Sequence, residues 1–100
     1  MAAPGYLVAN VVVQDPAKFE EYRLQVPAVI AQYGGRYVVR GGQTDAVEKA
    51  GNGLARIVVL EFPNLEAARR FYHSPEYAPL IALRKASTQS DVVLIEGYAP

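Results

Sequence analysis

The densest group of side chains able to do chemistry lies in one stretch, FYHSPEYAPLIALR, residues 71–84. It holds His73, the only histidine in the chain, with Tyr72, Ser74, Glu76, Tyr77 and Arg84 around it. An imidazole titrates near neutral pH and is a natural general base, and a serine beside it suggests a nucleophile. Each residue also has an architectural reading. Ser74 followed by Pro75 forms an N-cap and first-turn pair, and Glu76 then sits where a helix dipole favours negative charge. His73 falls at the last turn of the preceding helix, where it suits the terminal carbonyls. Adjacency of Ser and His in sequence does not make a nucleophile–base pair, which is defined by geometry. His73 therefore enters as a weak catalytic candidate and as a helix-closing residue.

A second group consists of polar residues inside apolar, strand-like runs: Asn10, Arg40, Glu61 and Glu96. An unpaired buried charge is expensive, so each must reach solvent, find a partner or face a cavity. Arg40 sits beside glycines in VVRGG, which leave room for a ligand or another backbone; a guanidinium there suits a carboxylate or an enolate. The competing reading is a salt bridge to a glutamate such as Glu61, across strands or between subunits. Arg56 and Arg84 are weaker candidates, expected at the solvent edge. Tyr22, Tyr72 and Tyr77 should project from helices toward the sheet, where aromatic stripes build cores. The ligand-binding candidates are Arg40, Asn10, Tyr22, Tyr72 and Tyr77, a set that would give an apolar pocket a few polar anchors. Arg40 is also a weak catalytic candidate, for stabilising an oxyanion. One histidine and no cysteine do not make a typical transition-metal site. The glycines form no phosphate-cradling loop, and haem would have His73 alone as a ligand. No metal and no cofactor is expected.

These residues must be positioned by the elements around them. Gly5 to Val13 reads as a strand, stopped by Gln-Asp-Pro, in which Asp15 caps a helix and Pro16 takes its first position. Phe19, Tyr22, Val26, Val29, Ile30 and Tyr33 follow at helical spacing, with Pro27 inside expected to kink or tighten the helix and Gly34-Gly35 as a stop. A second strand spans Arg36 to Gly41. A polar, glycine-flanked excursion follows from Gly42 to Gly53, with GNG as a turn signal. The third strand runs from Ala55 to Phe62. Asn64 caps a second helix carrying Leu65, Ala68, Phe71 and Tyr72. Ser74-Pro75 opens a further helix with Tyr77, Leu80, Ile81 and Leu83, and Asp91 to Tyr98 is the fourth strand. The halves are alike at an offset of 49 residues, Val13-Gln-Asp-Pro matching Phe62-Pro-Asn-Leu. The order β-α-β-β-α-α-β is that of a doubled βαβ unit. It predicts an α+β, ferredoxin-like fold with a four-stranded antiparallel sheet covered by helices on one face. Strands one and three are expected at the centre, parallel to each other, flanked by strands four and two.

Composition bounds the rest. One hundred residues with 51% hydrophobic content make one domain, residues 1–100, with a core of its own. Ten basic residues balance ten acidic ones without a basic block, which argues against capture of nucleic acid or an anionic membrane. There is no apolar run of membrane-spanning length, and the opening Met-Ala-Ala-Pro-Gly lacks the charged start of a signal peptide. A cytoplasmic location is the expectation. Helices cover only one sheet face, yet both faces are apolar: Leu7, Ala9, Val11 and Val13 oppose Tyr6, Val8 and Val12, and Val92 and Leu94 oppose Val93 and Ile95. An uncovered apolar face of several hundred Å² is an aggregation hazard, so a two-fold homodimer of facing sheets is expected.

GYLVANVVVQDPAKFEEY, YGGRYVVRGG, RIVVLEFPNLEAARRFYHSPEY and DVVLIEGY together resemble the domain of unknown function 1330 family, over nearly the whole chain. The resemblance implies a ferredoxin-like, dimeric α/β-barrel fold. It implies little chemistry, since related branches include monooxygenases, lactone isomerases, haem-dependent dismutases and plain binding proteins. In the family pattern Trp more often stands at Phe71, and Asp or Asn at His73, which weakens an essential role for this histidine. Three functions follow as expectations. The first is a homodimer binding a small organic molecule in a helix–sheet pocket. The second is a cofactor-independent monooxygenase or isomerase acting on an enolisable substrate, and the third is an interaction module using an exposed edge strand.

Overall fold

The computed structural model describes residues 3–48 and 56–100. Its elements are β1 (Gly5–Val13), α1 (Pro16–Gln32), β2 (Arg36–Arg40), β3 (Ile57–Phe62), α2 (Leu65–Tyr72), α3 (Ala78–Ser87) and β4 (Thr88–Glu96). The expected β-α-β-β-α-α-β order and the ferredoxin-like antiparallel sheet are both present, with strand order β2-β3-β1-β4. Strands one and three are central but antiparallel, Gly5 facing Phe62 and Asn10 facing Ile57. The antiparallel direction has a simple cause. The split βαβ unit makes β1 and β2 parallel and leaves a gap, and β3, reversing from β2, fills it running against both.

Local chemistry explains the boundaries. The Asp15 side chain accepts from Lys18 N at 3.2 Å and that of Asn64 from Ala67 N at 2.8 Å, so the two caps repeat at the same offset of 49 as the sequence. At the end of α1, Gly34 takes φ +78° and donates to Ala31 O, while Gly35 donates to Ile30 O. This is a Schellman closure, which satisfies carbonyls that would otherwise lack partners. The helix is continuous through Pro27. Ser74 does cap, accepting from Tyr77 N at 3.1 Å, but the residues it caps form a turn and α3 begins only at Ala78. β4 begins at Thr88, three residues before the expected Asp91, because its first polar side chains are satisfied: Thr88 Oγ1 donates to Arg84 O at 2.7 Å. The turn signal GNG and Ala55 lie outside the described residues.

The core lies between the sheet and the helices. Leu7, Ala9 and Val11 of β1 meet Leu60 and Phe62 of β3 and, from the helices, Val26, Ile30, Ala68, Phe71, Tyr77 and Leu80. Phe71 stacks on Tyr77 at 4.3 Å between ring centroids and packs beside Phe62 at 5.2 Å. On the other face the register aligns Val39, Val59, Val8 and Val93 in one row across all four strands.

Candidate functional site

Between the sheet and helices α1 and α3 the packing leaves a cavity. About 40 Å³ is open to the centres of water-sized atoms, around three times what one water needs. Its sheet wall includes Leu7, Ala9, Val58, Leu60 and Val92, and its polar lining is Arg23, Arg40, Arg56 and Arg84 with Tyr22, Tyr37 and Tyr77. Among the described lining residues there is no carboxylate. A chain of zero net charge thus gathers four of its ten basic residues around one space.

Arg40 reaches the cavity through a β-bulge. Tyr37 pairs with Leu60 and Arg40 with Val58, and both partners face the helices; residues three apart would face opposite ways in a regular strand. Val38 is the extra residue that restores the phase. The Arg40 guanidinium then lies over the Tyr37 ring at 4.5 Å. It also makes a long contact, Nη2 donating to Arg23 O at 3.5 Å. In a regular helix that carbonyl would accept from residue 27, which is Pro27 and has no N–H. The proline therefore leaves an acceptor at the cavity. The salt bridge to Glu61 considered for Arg40 does not form. Glu61 lies on the opposite face, where it binds Arg36 at 2.8 Å and the Tyr6 hydroxyl at 3.2 Å.

Tyr22 and Tyr77 meet across α1 and the start of α3, their hydroxyls 2.8 Å apart. Burial, and next to it the adjacent Tyr77 hydroxyl, push the Tyr22 phenol far above its ordinary value, so it stays protonated. Of the other sequence candidates, Asn10 pairs in register with Ile57 and Asp91 on the outer sheet face. Tyr72 is half-buried beside Tyr77 but does not line the cavity, and His73 is exposed with its ring edge-on to Tyr72. Three of the five ligand candidates, Arg40, Tyr22 and Tyr77, thus come together, while Asn10 and Tyr72 do not join them.

Of the two weaker arginine candidates, Arg84 is buried and Arg56 is half-buried, and both line the cavity. Arg84 is 4% exposed. Its Nη1 donates to Ser90 Oγ at 2.6 Å, while Nε and Nη2 are buried without a hydrogen-bond partner. Burial opposes the cation, but the Tyr77 and Tyr22 hydroxyls outweigh it and hold the guanidinium above its ordinary pKa. Arg56 lies 5.5 Å over the Phe19 ring, with its Nε also buried and unpartnered. It occupies the room left by Gly41, where a Cβ would come within 2.6 Å of the guanidinium carbon. Both positions had a sequence signal. Arg84 continues the stripe Tyr77, Leu80, Ile81 at helical spacing, and Arg56 shares the parity of Val58, Leu60 and Phe62.

The family model for domain of unknown function 1330 matches residues 4–98. The chain belongs to that family. No curated protein matches this DUF1330 domain in sequence. Among solved structures it is similar to a protein of unknown function from Rhodopseudomonas palustris, at 15% identity and TM-score 0.77, covering 100% of this chain and 86% of that one. It is also similar to SnoaB, a cofactor-independent oxygenase from Streptomyces nogalater, at 20% identity and TM-score 0.65, covering 99% and 97%. A candidate antibiotic biosynthesis monooxygenase from Caulobacter crescentus matches at 16% identity and TM-score 0.64, covering 98% and 92%. At these identities the likeness gives the DUF1330 domain a shared ferredoxin-like fold. Among the described residues no three His, Cys, Asp or Glu cluster to hold a metal, and no helix is long and apolar enough to cross a membrane.

Proposed function

We propose that this protein is a homodimer binding a small organic molecule in the helix–sheet cavity of each subunit. The observation that carries the binding reading is the open cavity itself: an apolar body with a few polar anchors, as in small-molecule sites generally. Arg40, Tyr22 and Tyr77 are the proposed contacts, joined by Arg84 and Arg56. The row of valines on the uncovered sheet face supports the dimer. A thermal-shift screen of small metabolites tests the binding. A ligand at a hundredfold excess over its dissociation constant should stabilise the protein by about 2.7 kcal/mol. Arg40→Leu should then weaken that ligand while leaving the fold intact; unchanged affinity would remove Arg40 from the site.

A second reading is a cofactor-independent enzyme, acting as an oxygenase or isomerase on an enolisable substrate. It is favoured by hydroxyls and guanidinium groups gathered where an oxyanion would need stabilising, and by the likeness to SnoaB. Oxygen uptake with enolisable substrates tests the oxygenase form and exchange of their α-hydrogens with deuterated solvent the isomerase form; plain binding gives neither.

A further inference from the structure

The arginines of this chain show how they take a carboxylate. Arg23 binds Glu20 through Nε, at 3.0 Å, and Nη2. Arg36 turns the same edge to Glu61, Nε at 2.9 Å and Nη2 at 2.8 Å, there sharing the single oxygen Oε1 because Oε2 takes the Tyr6 hydroxyl. These nitrogens form one edge of the planar guanidinium, spaced to match two carboxylate oxygens. In Arg84 that same edge, Nε with Nη2, is buried and unpartnered, while Nη1 is fixed by Ser90 Oγ. The serine sets the plane of the group and leaves the fork unspent. A buried cation in this condition costs stability, and no described residue lining the cavity carries a compensating negative charge.

The tyrosine pair has the same polarity. Between two hydroxyls sharing one hydrogen bond, one O–H remains to be donated, here beside Arg84. Arg56 adds a second buried N–H without a partner on the cavity lining. The cavity therefore offers donors and positive charge at its polar side and hydrocarbon at its sheet wall.

Resting on the reading of the cavity as a ligand site, we propose that its ligand is a small organic acid, bound through its carboxylate to the Nε and Nη2 edge of Arg84. The free O–H of the Tyr22–Tyr77 pair donates to the same anionic end. The apolar body lies against the sheet wall of Ala9, Leu60 and Val92.

The test uses calorimetric titration of the full chain with benzoate, salicylate and hexanoate, each beside its primary amide, in the same buffer. At least one acid should bind about a hundredfold more tightly than its amide. Arg84→Met should abolish that preference, and Arg84→Lys, which keeps the charge but not the fork, should recover only a small part of it. Acids and amides binding alike, or a preference that survives in Arg84→Met, would overturn the inference and leave the ligand site standing. No binding by any member of either set would overturn both. The comparison of acid with amide is made on the unaltered protein, so it stands even if a variant fails to fold.

Discussion

At the residue scale, Ser74 and His73 stand side by side and do different work. The buried Ser74 hydroxyl donates to Phe71 O at 2.8 Å and accepts from Tyr77 N, linking the end of α2 to the turn that leads into α3. Ser74→Ala leaves a buried amide unsatisfied and should cost about 1–2 kcal/mol in chemical denaturation. His73 is exposed, and His73→Ala should change stability by less than about 0.5 kcal/mol. Glu76 gives a pH-dependent counterpart. The Tyr33 hydroxyl, donating at 2.7 Å, is the first cause that lowers its carboxyl below the ordinary 4.5, with Gln32 assisting. A carboxyl depressed in the folded state contributes stability above its unfolded pKa and loses it as pH falls through the lowered folded value. Tyr33→Phe should therefore move the Glu76 titration upward toward 4.5, read by carbon NMR, so that the contribution shrinks and its loss is complete at a higher pH.

At the element scale, glycine at the end of α1 is decisive. Gly34 holds a left-handed φ that an L-residue adopts only at a cost, and Gly34→Ala should destabilise by about 1–2 kcal/mol without altering the cavity. The Asp15 and Asn64 caps, Pro16 and this glycine pair are legible in the sequence, because each acts over three or four residues and leaves a local signature. The direction of β3 relative to β1 is opposite to the expected one, although the order of elements already contains it. The cavity was half legible. The helical stripe brought Tyr22 and Tyr77 into view, and the glycines drew attention to Arg40 for a reason that proved different, since Arg56 fills the room beside Gly41. That Arg40 faces inward depends on the bulge at Val38, which alternation cannot reveal. Arg84 ranks only as a weaker candidate in the sequence because its charge type favours solvent, although its spacing places it on the buried face.

At the scale of the whole molecule, the two sides of the sheet differ in kind, one packed against the helices and one uncovered, and register keeps them apart. The outer face has an apolar centre, the row Val39, Val59, Val8 and Val93. A partly polar row flanks it on each side, Arg36, Glu61, Tyr6 and Ile95 on one and Ile57, Asn10 and Asp91 on the other. An apolar centre with a polar rim is the anatomy of an interface. Val93 and Ile95 are 57% and 53% exposed in the single subunit, and each 100 Å² of apolar surface covered is worth about 2.5 kcal/mol before the costs of association. A second copy of the same face meets the requirement with no further partner, and a two-fold axis would set the valine rows against each other. Light scattering should find a dimer at micromolar concentration. Val93→Glu places one charge per subunit in the centre, hence two in the symmetric interface, and should yield a folded monomer. Because Val93 points away from the helices, acid binding in the cavity should persist in that monomer. A monomeric unaltered protein, or a Val93→Glu variant that remains dimeric, would show that this face does not join the subunits.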